Sequence, residues 1–140
     1  MEFSITHINW IGVIVATIAY SAFSGIWHRQ FAFGKKWENA MDFKRPENWK
    51  ETNIYFIVPF FSCLIASIGM AILNNILNIS SFGQAIFLGL IAGIGFATTA
   101  TFTNAVVPIM KKPLVFGAIT GTAHAIGITI VSVIIYVIGN

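Results

Sequence analysis

Charge is absent from four long stretches of this chain and, apart from Glu2, crowded into two of the three gaps between them. Residues 8–27, 54–74, 85–107 and 114–138 contain no Asp, Glu, Lys or Arg, and each is 20 to 25 residues long. A helix rises about 1.5 Å per residue and needs about 20 residues to cross roughly 30 Å of hydrocarbon. The pattern predicts four transmembrane helices, with little chain left over. Strands are the rival reading, because Ile, Val, Phe and Thr abound. A membrane barrel, however, alternates over segments of about 10 residues, and an unbroken run such as "IVSVIIYVIG" has no such period. Lipid tolerates only helices or closed barrels, because every backbone polar group must find a partner internally. The expected fold is one all-α domain over 1–140, an integral membrane bundle of four helices.

Small residues mark where those helices should meet, since burying apolar surface gains little in lipid. Ala85, Gly89, Gly93, Ala97, Thr101 and Ala105 recur every four residues along the third span, and Gly117, Gly121 and Ala125 do so along the fourth. The third and fourth spans are therefore the expected tightest pair. The same ladder offers a face for self-association, and a homo-oligomer is the expected state of so small a bundle. Pro59 and Pro108 should kink or end their helices.

Composition agrees with the pattern: 56% of the 140 residues are hydrophobic and 9% charged, against roughly 25% charged in a soluble domain. All eight basic residues fall in two places. Arg29, Lys35, Lys36, Lys44, Arg45 and Lys50 lie in the loop at 28–53, and Lys111 and Lys112 in the loop at 108–113. Loops one and three of a four-span chain share a side, and basic loops stay in the cytoplasm. Both termini should then be extracytoplasmic, in a bacterial inner membrane. A cleaved signal peptide would carry a basic start. Here only Glu2 is charged before residue 29, so the first span reads as retained. The net charge of +3 belongs to these membrane-facing loops and not to a nucleic-acid surface. The one cysteine, Cys63, sits inside the second span and permits no intrachain disulfide.

The basic loop opens with "GIWHRQFAFGKKW", residues 25–37. Trp10 and Trp27 bracket the first span, about 26 Å apart at helical rise, as two interfacial anchors should be. Trp37 and Trp49 extend that belt. Phe33, Trp37, Ala40, Met41 and Lys44 fall on one face of a short amphipathic helix lying on the inner leaflet. Pro46 suits the first turn of the next helix. His28, Arg29, Lys35 and Lys36 are candidates to hold an anionic lipid headgroup or a phosphate, although a positive-inside belt predicts the same residues with no ligand.

Inside the membrane, His124 stands near the middle of the fourth span with Thr120 one turn back. It reads either as a proton-sensitive or substrate-contacting group, or as a neutral imidazole bonded to a neighbouring helix. "TTATFTN" at 98–104 contributes Thr98, Thr101 and Asn104. Threonines can satisfy themselves on their own helix, whereas Asn104 either joins two helices or lines a water-filled route. No metal or cofactor is expected. His7, His28 and His124 belong to three depths of the bilayer, and no Cys or His pair has ligand spacing. No nucleophile–base pair is evident either, so enzyme chemistry has little support.

The stretch "INWIGVIVATIAYSAFSGIWHRQFAFGKKW", residues 8–37, resembles the opening of the bacterial membrane family known as domain of unknown function 1761. The matching positions are Asn9, Trp10, Gly25, Trp27, Phe33, Gly34, Lys35 and Trp37, joined by the basic–Pro turn "KKPLVF" at 111–116. Where the family often has an aromatic, a small residue and Pro after the Trp, this chain has "HRQ". The resemblance implies a four-span membrane protein and carries no activity with it. Two functional classes follow. The favoured one is an oligomeric channel or transporter, with a polar pathway lined by the third and fourth helices, because a polar patch and an intramembrane His together exceed what packing needs. The other is a non-transporting accessory protein whose basic cytoplasmic loop binds a partner or anionic lipid.

Overall fold

The computed structural model describes residues 8–139; Glu2 and His7, discussed above, lie outside them. The described residues are helical and turn, with no strand. Four helices are long and apolar enough to cross a membrane. They are α1 (Trp10–Trp27), α3 (Ile54–Ile76), α4 (Phe82–Ala105) and α5 (Pro113–Gly139), and the short α2 (Lys35–Ala40) lies between the first two.

Local chemistry sets the ends. Asn9 caps α1, its Oδ1 accepting from Gly12 N–H at 3.0 Å, while its Nδ2 donates to the Ile138 carbonyl at 2.9 Å. One side chain thus caps α1 and ties it to the far end of α5. Ser81 caps α4 through the Gln84 N–H, which moves the start of that span three residues ahead of the expected residue 85. The helix ends at Ala105, ahead of Pro108, whose ring and missing N–H stop a helix. Pro59 lies inside α3 and does not end it. Pro46 departs from expectation. It begins a turn, with Trp49 N–H donating to its carbonyl at 3.0 Å, and α3 starts eight residues later at Ile54.

α2 is shorter than the amphipathic face suggests. Asp42 takes φ 58°, a left-handed value that short polar side chains tolerate. Phe43 N–H then reaches the Glu38 carbonyl at 3.0 Å and Asp42 N–H the Asn39 carbonyl at 3.2 Å, closing a Schellman motif. Met41 and Lys44 fall beyond that stop.

The most buried helix is α5, which packs against α1, α3 and α4. Along α4 it comes close enough to exclude side chains. A methyl group built on Gly89 would lie 2.5 Å from Thr129 Cα, and one on Gly93 2.7 Å from Ala125 Cα. Looking the other way, Gly117 faces the Phe102 ring and Gly121 the Thr98 methyl, at 2.6 and 2.8 Å. Ala97, one turn beyond Gly93 on α4, is half-buried against the core. Between Ile91 and Thr98 the α4 backbone widens into a π-helical stretch. Its other sides face outward, with Phe87, Ile94 and Phe96 exposed, as lipid-facing residues should be.

Candidate functional site at the basic end of the bundle

The two lysine-bearing loops meet at one end of the bundle. Lys112 N–H donates to the Ala40 carbonyl at 2.9 Å, and Lys111 Nζ sits 2.7 Å from Asp42 Oδ1. Lys111 donates a hydrogen bond to Asp42, and its charge adds to that of Lys44 and Lys112. Together they hold the Asp42 carboxyl below its ordinary value of 3.8. Glu38 is held by Arg45, whose Nε and Nη2 lie 2.8 and 2.7 Å from Oε1. The hydrogen bond to Glu38 raises the Arg45 pKa above its ordinary value.

The first loop is folded back onto α5 by two tryptophans. Trp27 Nε1 donates to the Ile119 carbonyl and Trp37 Nε1 to Thr120 Oγ1, both at 3.0 Å. The turn between them needs glycine at 34, because a Cβ there would lie 2.7 Å from Arg29 C and overlap the His28 carbonyl. Within that turn Phe33 stacks on Trp27 at 4.3 Å between centroids, and beyond it Trp37 packs between His28 at 5.2 Å and Phe116 at 5.9 Å. His28 Nδ1 donates to the Ser24 carbonyl at 2.9 Å, which orients its ring. Indole N–H donors seated this way, with aromatic faces around them, fix a loop far better than propensity does. Trp49 lies further out, 4.9 Å from Phe43 and 5.9 Å from Tyr55, while Trp10 is exposed at the opposite end.

His124 lies deeper, on the same side of α5. Gly127 leaves space for the Tyr20 ring, where a Cβ would overlap it, and the Tyr20 hydroxyl shares a 2.6 Å hydrogen bond with His124 Nδ1. Thr98 Oγ1 lies 2.8 Å from the Gly121 carbonyl and 2.9 Å from that of Gly93, so its one proton serves two helices. Thr101 bonds back to the Ala97 carbonyl at 2.7 Å. Asn104 is exposed near the C-terminal end of α4. Thr120 and His124 thus face α1 and the loop, Thr98 bridges α4 to α5, and Asn104 stands apart from all three.

The four candidate anion contacts also separate. His28 is packed under Trp37, and Arg29 Nη1 pairs with Glu51 at 3.4 Å. Lys35 lines a pocket, and Lys36 is exposed outside its lining.

Sequence reasoning missed a buried polar seam among α1, α3 and α5. Thr17, Ser67, Asn74 and Ser132 are all buried. Asn74 Nδ2 donates to the Met70 carbonyl at 2.9 Å and to Ser132 Oγ at 3.3 Å. The available signal was Ser67 and Asn74 at i, i+7 in the second span, one face of a helix. Among the described residues no group of three His, Cys, Asp or Glu side chains could hold a metal ion.

Four long apolar helices, packed through glycines, with the charge held in the first and third connections, define a multi-pass helical membrane protein. The chain belongs to the family described as "Protein of unknown function (DUF1761)", whose model matches residues 11–136. No curated protein and no solved structure matches it.

Proposed function

We propose that this protein is a non-transporting accessory protein of the bacterial inner membrane. Its working surface is the basic loop region, presented on the cytoplasmic side to an anionic partner, with both termini on the opposite side. The observation that carries this reading is the clamp. Trp27 and Trp37 are both spent on α5, at Ile119 and Thr120, so the end of α1 and the loop that follows it are held against one helix in one shape. The gathering of the lysine loops at one end supports the orientation, because basic loops are retained in the cytoplasm. Several polar groups within the bundle have protein partners, Thr98 with Gly121, Thr120 with Trp37, His124 with Tyr20 and Asn74 with Ser132, while Ser21 Oγ, Ser67 Oγ and Asn74 Oδ1 are buried without one. Such pairing suits a dry core. Copies of the chain associate through the outer face of α4, where Gly95 has open space and Thr99, Thr103 and Asn104 are exposed.

One observation favours the second reading, an oligomeric channel or transporter with His124, Thr120, Thr98, Thr101 and Asn104 along its pathway. Among the described residues His124 Nε2 and the Asn104 amide have no hydrogen-bond partner. Labelling single cysteines at these five positions with a membrane-impermeant thiol reagent, in a Cys63→Ala background, separates the two. The accessory reading predicts labelling at Lys36→Cys and Lys50→Cys and none at 98, 101, 120 and 124. Helically periodic labelling at 101, 104 and 124 would replace it with a water-filled pathway.

A further inference from the structure

Beside the clamp lies a pocket of about 240 Å³ whose walls include Gln30, Lys35, Glu38, Asp42 and Lys44. It forms where the turn at Gln30–Gly34 runs into α2 and the chain doubles back after Asp42. Both of its carboxylates are already engaged from outside the lining, Glu38 by Arg45 and Asp42 by Lys111. Lys35 and Lys44 have no carboxylate within ion-pair distance among the described residues. Of the six charged groups in and around the pocket, four cations face two anions, which leaves two positive charges uncompensated. Gln30 adds a further unmet need, for its Nε2 is buried and has no acceptor. A buried amide donor without a partner is costly, and native proteins rarely keep one without cause.

Two unpaired ammonium groups and an amide N–H around one space are all donors. A compact anion with several oxygens satisfies them together, and charge-assisted hydrogen bonds of this kind are the strong ones. We propose that this pocket binds a phosphate group, with Lys35 Nζ, Lys44 Nζ and Gln30 Nε2 as its donors. The space exceeds one phosphate and leaves room for a small polar substituent. Remaining lone pairs on Glu38 and Asp42 accept that substituent's hydroxyl or ammonium hydrogens. The inference rests on the basic loop being the working surface and specifies its ligand chemistry. Two sources present that chemistry at this level, a phospholipid headgroup and a soluble phosphate compound.

The test uses the full chain in nanodiscs, with phosphatidylglycerol as one probe and inorganic phosphate as the other. Native mass spectrometry reads retained phosphatidylglycerol against a phosphatidylcholine background, and titration calorimetry reads phosphate. Lys35→Gln and Lys44→Gln should each weaken binding about tenfold, and Gln30→Leu should weaken it too. Lys36→Gln and Lys50→Gln, which remove the same charge outside the pocket, should leave it within about twofold. Retained phosphatidylglycerol that phosphate does not displace identifies a headgroup, and competition by phosphate identifies a soluble ligand. Equal weakening by all four lysine variants would overturn the pocket while leaving a diffusely basic working surface intact. Absence of binding by either probe would overturn both.

Discussion

Trp37 in the first loop donates its indole N–H to Thr120, about two turns into the last helix and 83 residues away, at 3.0 Å. The bond joins the one short helix outside the spans to the most buried helix in the bundle. A loop ordered in this way is a built surface and not a connector.

Removing either end of that bond should loosen the loop. Trp37→Phe keeps an aromatic face against His28 and Phe116 but deletes the donor, and Thr120→Val deletes the acceptor. Each should lower stability to SDS unfolding in mixed micelles, and the double variant should lose less than the sum. The coupling should be about 0.6 kcal/mol, with about 1.7 as the upper end for interhelical pairs in membranes. Trp37→Ala should cost more, through lost packing.

The α4–α5 contact should tolerate methyl groups at some glycines and not at others. At Gly93 a Cβ would meet the Ala125 backbone at 2.7 Å, whereas at Gly95 nothing lies within 4 Å. Gly93→Ala should destabilise by about 1–3 kcal/mol, because backbone must move to admit it. Gly95→Ala should be neutral or stabilising, since Ala is the better helix former. Thermal denaturation in detergent, run on both variants, checks the contrast.

The loop-to-loop contact should respond to acid. Lys111 holds the Asp42 carboxyl below 3.8, its ordinary value. A lowered carboxylate pKa means that the contact stabilises the fold at pH above 3.8 and that this contribution is lost as pH falls through the lower folded value. Both side chains are exposed, so salt should weaken it. Carbon-13 titration of the Asp42 carboxyl should give a midpoint below 3.8, and Lys111→Met should move it upward.

The four spans were legible because absence of charge over 20 or more residues has few other meanings, and glycine spacing pointed to the α4–α5 contact for the same reason that lipid rewards close backbones. The loop was harder to read. Trp27 and Trp37 have the composition of an interfacial belt, and nothing local distinguishes an indole facing headgroups from one reaching Ile119 or Thr120. Their partners lie 92 and 83 residues away. Tyr20 was invisible as a partner for His124 for the same reason. Only the space left by Gly127 brings them together, and that depends on how α1 crosses α5. The end of α2 was misjudged because amphipathic spacing continues to Lys44, while the stop is a backbone event at Asp42.

The most direct measurement of the clamp is a cross-link between the two basic loops in native membranes. Lys112 N–H meets the Ala40 carbonyl at 2.9 Å, which sets the two residues side by side. A disulfide needs Cα atoms about 4.4–6.8 Å apart. Ala40→Cys and Lys112→Cys, combined in a Cys63→Ala background and treated with a mild oxidant, should form an intrachain disulfide. Loss of labelling by a polyethylene-glycol maleimide, with no covalent dimer, would report it, and adding Trp37→Ala should slow its formation. Free labelling at both positions after oxidation, or a bond that forms only between chains, would contradict a first loop held against the last helix.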